Sequence, residues 1–218
     1  MADIEGGPHE RAGGLSGFFF TFEGCEGSGK TTQVELLKEH LAGRGFDVLV
    51  SREPGGTAVG AVIRSILLDP TGAAVEPLTE ALLFAADRAQ EVAEVILPAM
   101  RKGRVVLGDR FSDSSLAYQG VARGLGLEAV EKLNEWATGG LEPTLTFYLD
   151  MPVEEALARK SEGEHDRIEG EPAEFHRAVR EAYLMLAKLY SRRVVVIDAR
   201  AGIREIHARV KTEVGRFL

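Results

Sequence analysis

The chain holds a single cysteine, Cys25, in 218 residues. An internal disulfide is therefore excluded, and a reducing compartment is the expected setting. No apolar run approaches the roughly 18 residues that a membrane span needs, and Met1 to Gly17 lacks the charged-then-apolar pattern of a signal peptide. Dense basic runs are also missing: Lys+Arg number 26 against Asp+Glu 34, a net charge of −8. Non-specific binding to DNA, RNA or an anionic membrane needs a positive footprint that this balance does not supply. A nucleotide ligand is not excluded, because a few placed cations suffice for one phosphate group. The five histidines, at positions 9, 40, 165, 176 and 207, lack metal-ligand spacing. What remains is a cytoplasmic protein with small-molecule partners, no nucleic acid and no membrane. Its 44% hydrophobic content is enough for one well-cored domain.

Against these absences stands Gly24-Cys25-Glu26-Gly27-Ser28-Gly29-Lys30-Thr31, which spells G-x-x-x-x-G-K-T. An apolar run, Phe18 to Phe22, precedes it, and Thr32 to Leu41 follows with apolar residues at helical spacing. Strand, glycine loop and helix form the context of a phosphate site. The glycines let successive backbone N–H groups turn inward around phosphate oxygens, and the helix N-terminus adds its own donors and partial positive charge. Lys30 would reach the β- and γ-phosphates, and the Thr31 hydroxyl would ligate Mg²⁺. The loop from Gly24 to Thr32, with Cys25 read as a small packed residue, is thus the expected site for a nucleoside triphosphate.

Strand-like segments at about 18–22, 47–51, 104–108, 145–150 and 194–198 alternate with helical ones. Gly43 and Gly45 stop the first helix. Others fit 57–68, 77–100 (opened by Pro77), 113–119, 127–138, 153–160, 172–190 and 203–217. The pattern predicts an α/β fold of P-loop NTPase type: three layers, α/β/α, with a five-stranded parallel sheet and helices on both faces. Residues 1–17 read as a disordered extension, residues 18–218 as one domain, and the polar stretch near 160–171 as a lid. Gly124-Leu125-Gly126-Leu127-Glu128-Ala129 fits a dinucleotide fingerprint, but no strand precedes it. Trp136 is expected in the core or at a subunit contact.

Val105 to Arg110 is an apolar strand ending in an acid and a base. Ligands of open parallel sheets lie at the strands' carboxyl ends, so Asp109 and Arg110 should face Lys30. Asp109 would position Mg²⁺, directly or through water, and Arg110 offers a fork for a phosphate. A regulatory GTPase is excluded, since the chain has no Asn-Lys pair and Asp109 is followed by Arg110-Phe111-Ser112. A small-molecule phosphotransferase fits better.

Several segments together resemble bacterial thymidylate kinases, which transfer the γ-phosphoryl group of ATP to dTMP. They are Thr21 to Thr32, Arg52-Glu53-Pro54-Gly55-Gly56-Thr57, Leu83-Phe84-Ala85-Ala86-Asp87-Arg88, Gly108-Asp109-Arg110-Phe111, Asp113 to Gly120 and Asp166-Arg167-Ile168-Glu169. The resemblance implies that Phe84 stacks on thymine and that Arg88 donates to a thymine carbonyl. It implies that Ser115 and Gln119, beside Ser114, read N3 and O4, and that Tyr118 crowds the sugar 2′ position. Arg110 and Arg64 would clamp the acceptor phosphate, while Glu26 and Glu53 would lie near the sugar hydroxyl and the Mg²⁺. Similar proteins have a cis peptide bond at the turn that Glu53-Pro54 occupies here. A related branch has an arginine where this chain has Gly27; members with glycine there supply the transition-state cation from the lid. Arg167 is the first choice for that role, with Arg159 and Lys160 next. A homodimer through the helix near 77–100 is expected too. Two other readings stay open on sequence: a kinase for another nucleoside monophosphate or a deoxynucleoside, and a non-catalytic nucleotide-binding module.

Overall fold

Five short apolar runs become strands: β1 (Phe18–Glu23), β2 (Val48–Arg52), β3 (Val105–Asp109), β4 (Leu145–Asp150) and β5 (Val194–Asp198). The computed structural model describes residues 15–159 and 166–218. Most of the expected extension, the Lys160 end of the expected lid, His9 and His165 lie outside the described residues. All strand pairs are parallel, in the order β2-β3-β1-β4-β5. Parallel strands need crossover connections, and helices provide them: α1 (Lys30–Gly43), α2 (Ala58–Leu68), α3 (Pro77–Glu91), α4 (Leu97–Arg101), α5 (Ser112–Ser115), α6 (Leu127–Thr138), α7 (Val153–Ala158), α8 (Ala173–Leu189) and α9 (Ile203–Val214).

The two-residue period of a strand decides which helix each side chain meets. Phe20 and Phe22 of β1, Val105 and Leu107 of β3, and Leu145, Phe147 and Leu149 of β4 point to the face covered by Val34, Leu37 and Leu41 of α1 and Ile206, Val210 and Val214 of α9. Phe19 and Val106 point the other way, onto Val92, Ile96, Ala99 and Met100. Tyr148 meets Val179, Tyr183 and Leu186 of α8 on that same side. Truncating a fully buried phenylalanine such as Phe147 would cost about 3–5 kcal/mol. The three-layer expectation therefore stands.

Two helices differ from a plain reading of periodicity. The long helix expected over 77–100 passes through a π-helical turn at Val92–Ile96 before α4. Pro98 lies in the first turn of α4; it lacks an N–H, and the wider turn absorbs the missing rung of the ladder. A second π-helical turn, Leu116–Ala122, continues α5. The domain also starts earlier than Phe18. Leu15 packs on the Phe19 cluster, and Gly17 N–H donates to Met100 O at 2.9 Å. Trp136 is 84% exposed, so it is not a core residue.

Candidate active site

At the carboxyl end of β1 the chain turns through Gly24–Gly29 into α1. Gly27 has φ 77°, and a Cβ there would lie 2.5 Å from Ala156 O within α7. No side chain fits that position without moving α7. Gly29 caps α1 at φ 92° with no side-chain cap bond, so the first turn of α1 keeps the open N-terminus that anions favour. By contrast, α2 is capped by Thr57, whose hydroxyl accepts from Gly60 N–H at 2.9 Å. Within the loop, Lys30 Nζ donates to Cys25 O at 3.0 Å and lies 3.8 Å from Glu26 Oε2. Burial, aided by Arg110, pulls the Lys30 pKa down. Burial pushes the Cys25 thiol up, which makes it an inert packed residue rather than a nucleophile. Ser28 Oγ is buried with no hydrogen-bond partner, as a group prepared for a polar ligand would be.

Arg110 follows β3 at φ 75°, the one non-glycine residue at positive φ among the described residues. Such a conformation costs about 1–2 kcal/mol. Two bonds hold it: Arg110 N–H donates to Phe22 O at 3.0 Å, and Phe111 N–H donates to Glu23 Oε1 at 2.7 Å. Glu23 also accepts from Ser114 Oγ at 2.6 Å and from the Tyr183 hydroxyl at 2.7 Å, and burial raises its pKa. The Arg110 guanidinium then donates to Glu26 Oε2 at 3.0 Å and Ser114 Oγ at 3.3 Å. It lies 5.4 Å from the centre of the Tyr118 ring.

Thr31 Oγ1 donates to Asp109 Oδ2 at 2.7 Å. A hydroxyl and a carboxylate in contact are hard oxygen donors of the kind Mg²⁺ takes, with phosphate and water completing its octahedron. Among the described residues no cluster of three His, Cys, Asp or Glu side chains that could hold a metal is found.

One cleft is lined by Glu26, Lys30, Thr31, Asp109 and Arg110 from the loop side together with Phe84, Ser115, Tyr118 and Gln119. Glu53, Arg64 and Ser114 also line it. Chemically, the cleft offers a phosphate cradle, a second phosphate clamp and a flat aromatic-and-amide pocket in one volume.

The model of the thymidylate kinase family matches residues 22–210. The chain belongs to the thymidylate kinase family. A thymidylate kinase of Caldanaerobacter subterraneus subsp. tengcongensis is 52% identical over 204 residues, covering 94% of this chain and 98% of the relative. One from Thermoanaerobacter sp. is 48% identical, covering 94% and 100%. The crystal structure of thymidylate kinase from Ehrlichia chaffeensis superposes with a TM-score of 0.75 at 30% identity, covering 91% of this chain and 99% of that one.

Twelve of the residues expected to bind ligands in this family member share the cleft. Gly24, Cys25, Gly27, Ser28, Gly29 and Thr32 shape the loop without lining it. The Glu53-Pro54 bond, left open on sequence, is cis, and Arg64 Nη1 donates to Pro54 O at 2.8 Å. Burial lifts the Glu53 carboxyl to about 8 despite Arg88 beside it, and its Oε1 is buried without a partner.

Two of the expected residues lie outside the lining of the cleft. Arg88 does not line the cleft; it is buried, and its guanidinium is spent inside the protein. It bonds Glu53 Oε2 through Nε at 2.9 Å and Nη2 at 2.7 Å, Ser115 Oγ at 3.0 Å, Asn134 Oδ1 at 2.8 Å and Phe111 O at 3.2 Å. All five N–H donors of an arginine are thereby engaged within the protein, and through them Arg88 touches both Ser115 and Glu53 of the cleft. Arg167 does not line the cleft either. Its Nε donates to Leu67 O at 2.8 Å and its Nη2 to Glu80 Oε2 at 2.7 Å, which ties it to the end of α2 and to α3. Arg159 donates to Ala199 O at 3.0 Å, and Lys160 lies outside the described residues.

Sequence reasoning missed Arg52, Asp166 and His176, which line the cleft, and Glu23 and Glu80 behind it. The signal for Glu80 was present. It stands four residues before Phe84 and eight before Arg88, a charge placed on the inward stripe of a helix.

Proposed function

We propose that this chain transfers the γ-phosphoryl group of ATP to dTMP, giving dTDP and ADP, with Mg²⁺, in the supply of dTTP. The observation that supports it most is the single cleft joining Lys30 and Thr31 to Arg110 and to the Phe84, Ser115 and Gln119 pocket. The loop Gly24–Thr32 holds the donor phosphates, with Lys30 on the β- and γ-oxygens. Arg110 and Arg64 hold the acceptor phosphate in line, which prepays the entropy of bringing two anions together. Thr31 and Asp109 would hold the metal, which neutralises charge on the phosphates. The acceptor phosphate is already anionic, so no strong general base is assigned. Phe84 supplies a flat face for the base. Ser115 and Gln119 read its edge, with Ser114 beside them, and Tyr118 packs at the sugar. Glu26 and Glu53 face the sugar hydroxyl and the acceptor phosphate.

We also infer a homodimer. Val59, Val62 and Ile66 of α2 and Leu78 and Leu82 of α3 are 49 to 63% exposed, and α2 packs beside α3. No described helix is long and apolar enough to cross a membrane, and the lone buried Cys25 suits the reducing cytoplasm in which we place the enzyme.

The test is ADP release from MgATP across dTMP, dUMP, dCMP, dGMP and AMP. The expected result is the highest kcat/KM with dTMP. A different preferred acceptor would make this a kinase for another nucleotide, and ATP binding without acceptor-dependent turnover would make it a binding module.

A further inference from the structure

Glu80, in the first turns of α3, is a carboxylate only 1% exposed that accepts four hydrogen bonds. Oε1 takes one from Gln119 Nε2 at 2.8 Å and one from Arg123 Nε at 3.2 Å. Oε2 takes one from Arg123 Nη2 at 3.1 Å and one from Arg167 Nη2 at 2.7 Å. Burial alone would raise its pKa, but the bonds from Arg123, Gln119 and Arg167 outweigh burial and hold the carboxyl below its ordinary value. An ionised carboxylate accepts and cannot donate. Gln119 therefore has one permitted amide orientation, nitrogen toward Glu80. The reverse would set a carbonyl oxygen against a carboxylate oxygen at hydrogen-bond distance. Gln119 itself is buried to 1% and lines the cleft beside Ser115.

We propose that Glu80 is a positioning residue that sets base specificity: by holding the Gln119 nitrogen it leaves the Gln119 carbonyl to accept from the acceptor base. This rests on the reading of Gln119 as a base reader given above. A pyrimidine-dione ring such as thymine carries an N3–H that donates to that carbonyl. Cytosine carries a bare N3 that accepts and an amino group that donates, so it would need the amide flipped, and Glu80 forbids the flip. An unpaired acceptor facing another acceptor in a buried pocket is worth roughly ten- to a hundredfold in affinity. Arg123 also pairs with Glu171 at 2.6 Å, and Arg167 and Glu171 both lie just beyond the 160–165 stretch. The carboxylate that orients the base reader thus also fastens the segment entering α8.

The experiment compares kcat/KM for dTMP and dCMP, or their Kd values where turnover is slow, in the full chain and its variants. In E80Q the neutral amide donates as well as accepts, both Gln119 orientations become permitted, and the dTMP-to-dCMP ratio should fall by about tenfold or more. Loosened packing alone would lower both substrates together and leave the ratio in place. R123M removes two donors from Glu80 but keeps the bond to Gln119, and should keep the ratio. In the swap E80Q/Q119E the new amide donates to the new carboxylate, which again shows only oxygen to the base, so the preference for dTMP should return. Q119A tests the underlying reading and should lose most of the discrimination. An unchanged ratio in E80Q beside a lost one in Q119A overturns the lock and leaves Gln119 as a base reader. An unchanged ratio in Q119A overturns that reading and the lock with it. Should E80Q fail to fold in a thermal melt, the swap decides, and loss of the dTMP preference there overturns the proposal.

Discussion

Arg110 carries a local conformational cost at the place proposed above to hold the acceptor phosphate. Its positive φ is imposed by Glu23 and Phe22, and a side chain with a Cβ resists it. Replacing the residue separates that cost from the charge. Arg110→Ala and Arg110→Gly should both lose most of kcat/KM, while the glycine variant unfolds about 1 kcal/mol later than the alanine one in urea, after glycine's extra unfolded-state entropy is counted. Equal stabilities would mean that the backbone is not strained there. Glu91 is a second costly residue. Burial lifts its carboxyl from 4.5 to about 7, although Ser51 Oγ donates to it at 2.6 Å. The folded state therefore keeps a proton that the unfolded chain has lost. The stability this contributes is full below pH 4.5 and is lost as pH rises through 7. Glu91→Gln should flatten the fall in unfolding free energy between about pH 5 and pH 8 by up to about 3 kcal/mol. Parallel pH profiles of the two proteins in urea titrations would refute it.

Helix and strand positions were largely legible, because Val, Ile, Leu and Phe recur at periods of two and 3.6 where the sheet and its covering layers need them. The face that a particular charged side chain takes was not legible. Arg88 sits four residues after Phe84 and so reads as a second hand on the same ligand, yet Glu53, Ser115 and Asn134, brought in from distant segments, draw it inward. The π-helical turn before Pro98 leaves no period in the sequence. The partners of Arg167 were illegible for the same reason as those of Arg88. Its segment matches a lid motif, but Glu80, 87 residues earlier, takes its guanidinium. The turn Asp166–Gly170 is fixed in addition by Asp166 Oδ1, which accepts from Ile168 and Glu169 N–H at 2.9 and 2.8 Å. Arg167→Ala should accordingly raise KM for dTMP and lower Tm, with kcat falling less than about tenfold, because an anchor shapes the ground state more than the transition state. A fall in kcat of several hundredfold at constant KM would return the transition-state role to Arg167.

For the whole molecule, the proposed dimer would connect acceptor binding to assembly through α2 and α3. Arg64 of α2 and Phe84 of α3 line the cleft, while Val59, Val62, Ile66, Leu78 and Leu82 leave the same two helices as exposed apolar side chains. Spacings of three, four and seven residues keep each set on one stripe of its helix. A buried valine or leucine gains about 1.5–3 kcal/mol over an exposed one, and a two-fold contact counts each residue twice because both copies use the same patch. Covering these half-exposed stripes would be the main apolar contribution to the proposed dimer. The double variant V62D/L82D places two like charges where the copies should meet. It should sediment as a single chain at micromolar concentration, keep its melting transition, and lose kcat/KM for dTMP more than its affinity for ATP, since α2 and α3 carry acceptor residues and the phosphate loop lies on α1. A variant that still sediments as a dimer would put the contact on another face, and a native chain that sediments as a monomer would show that the two stripes remain in water.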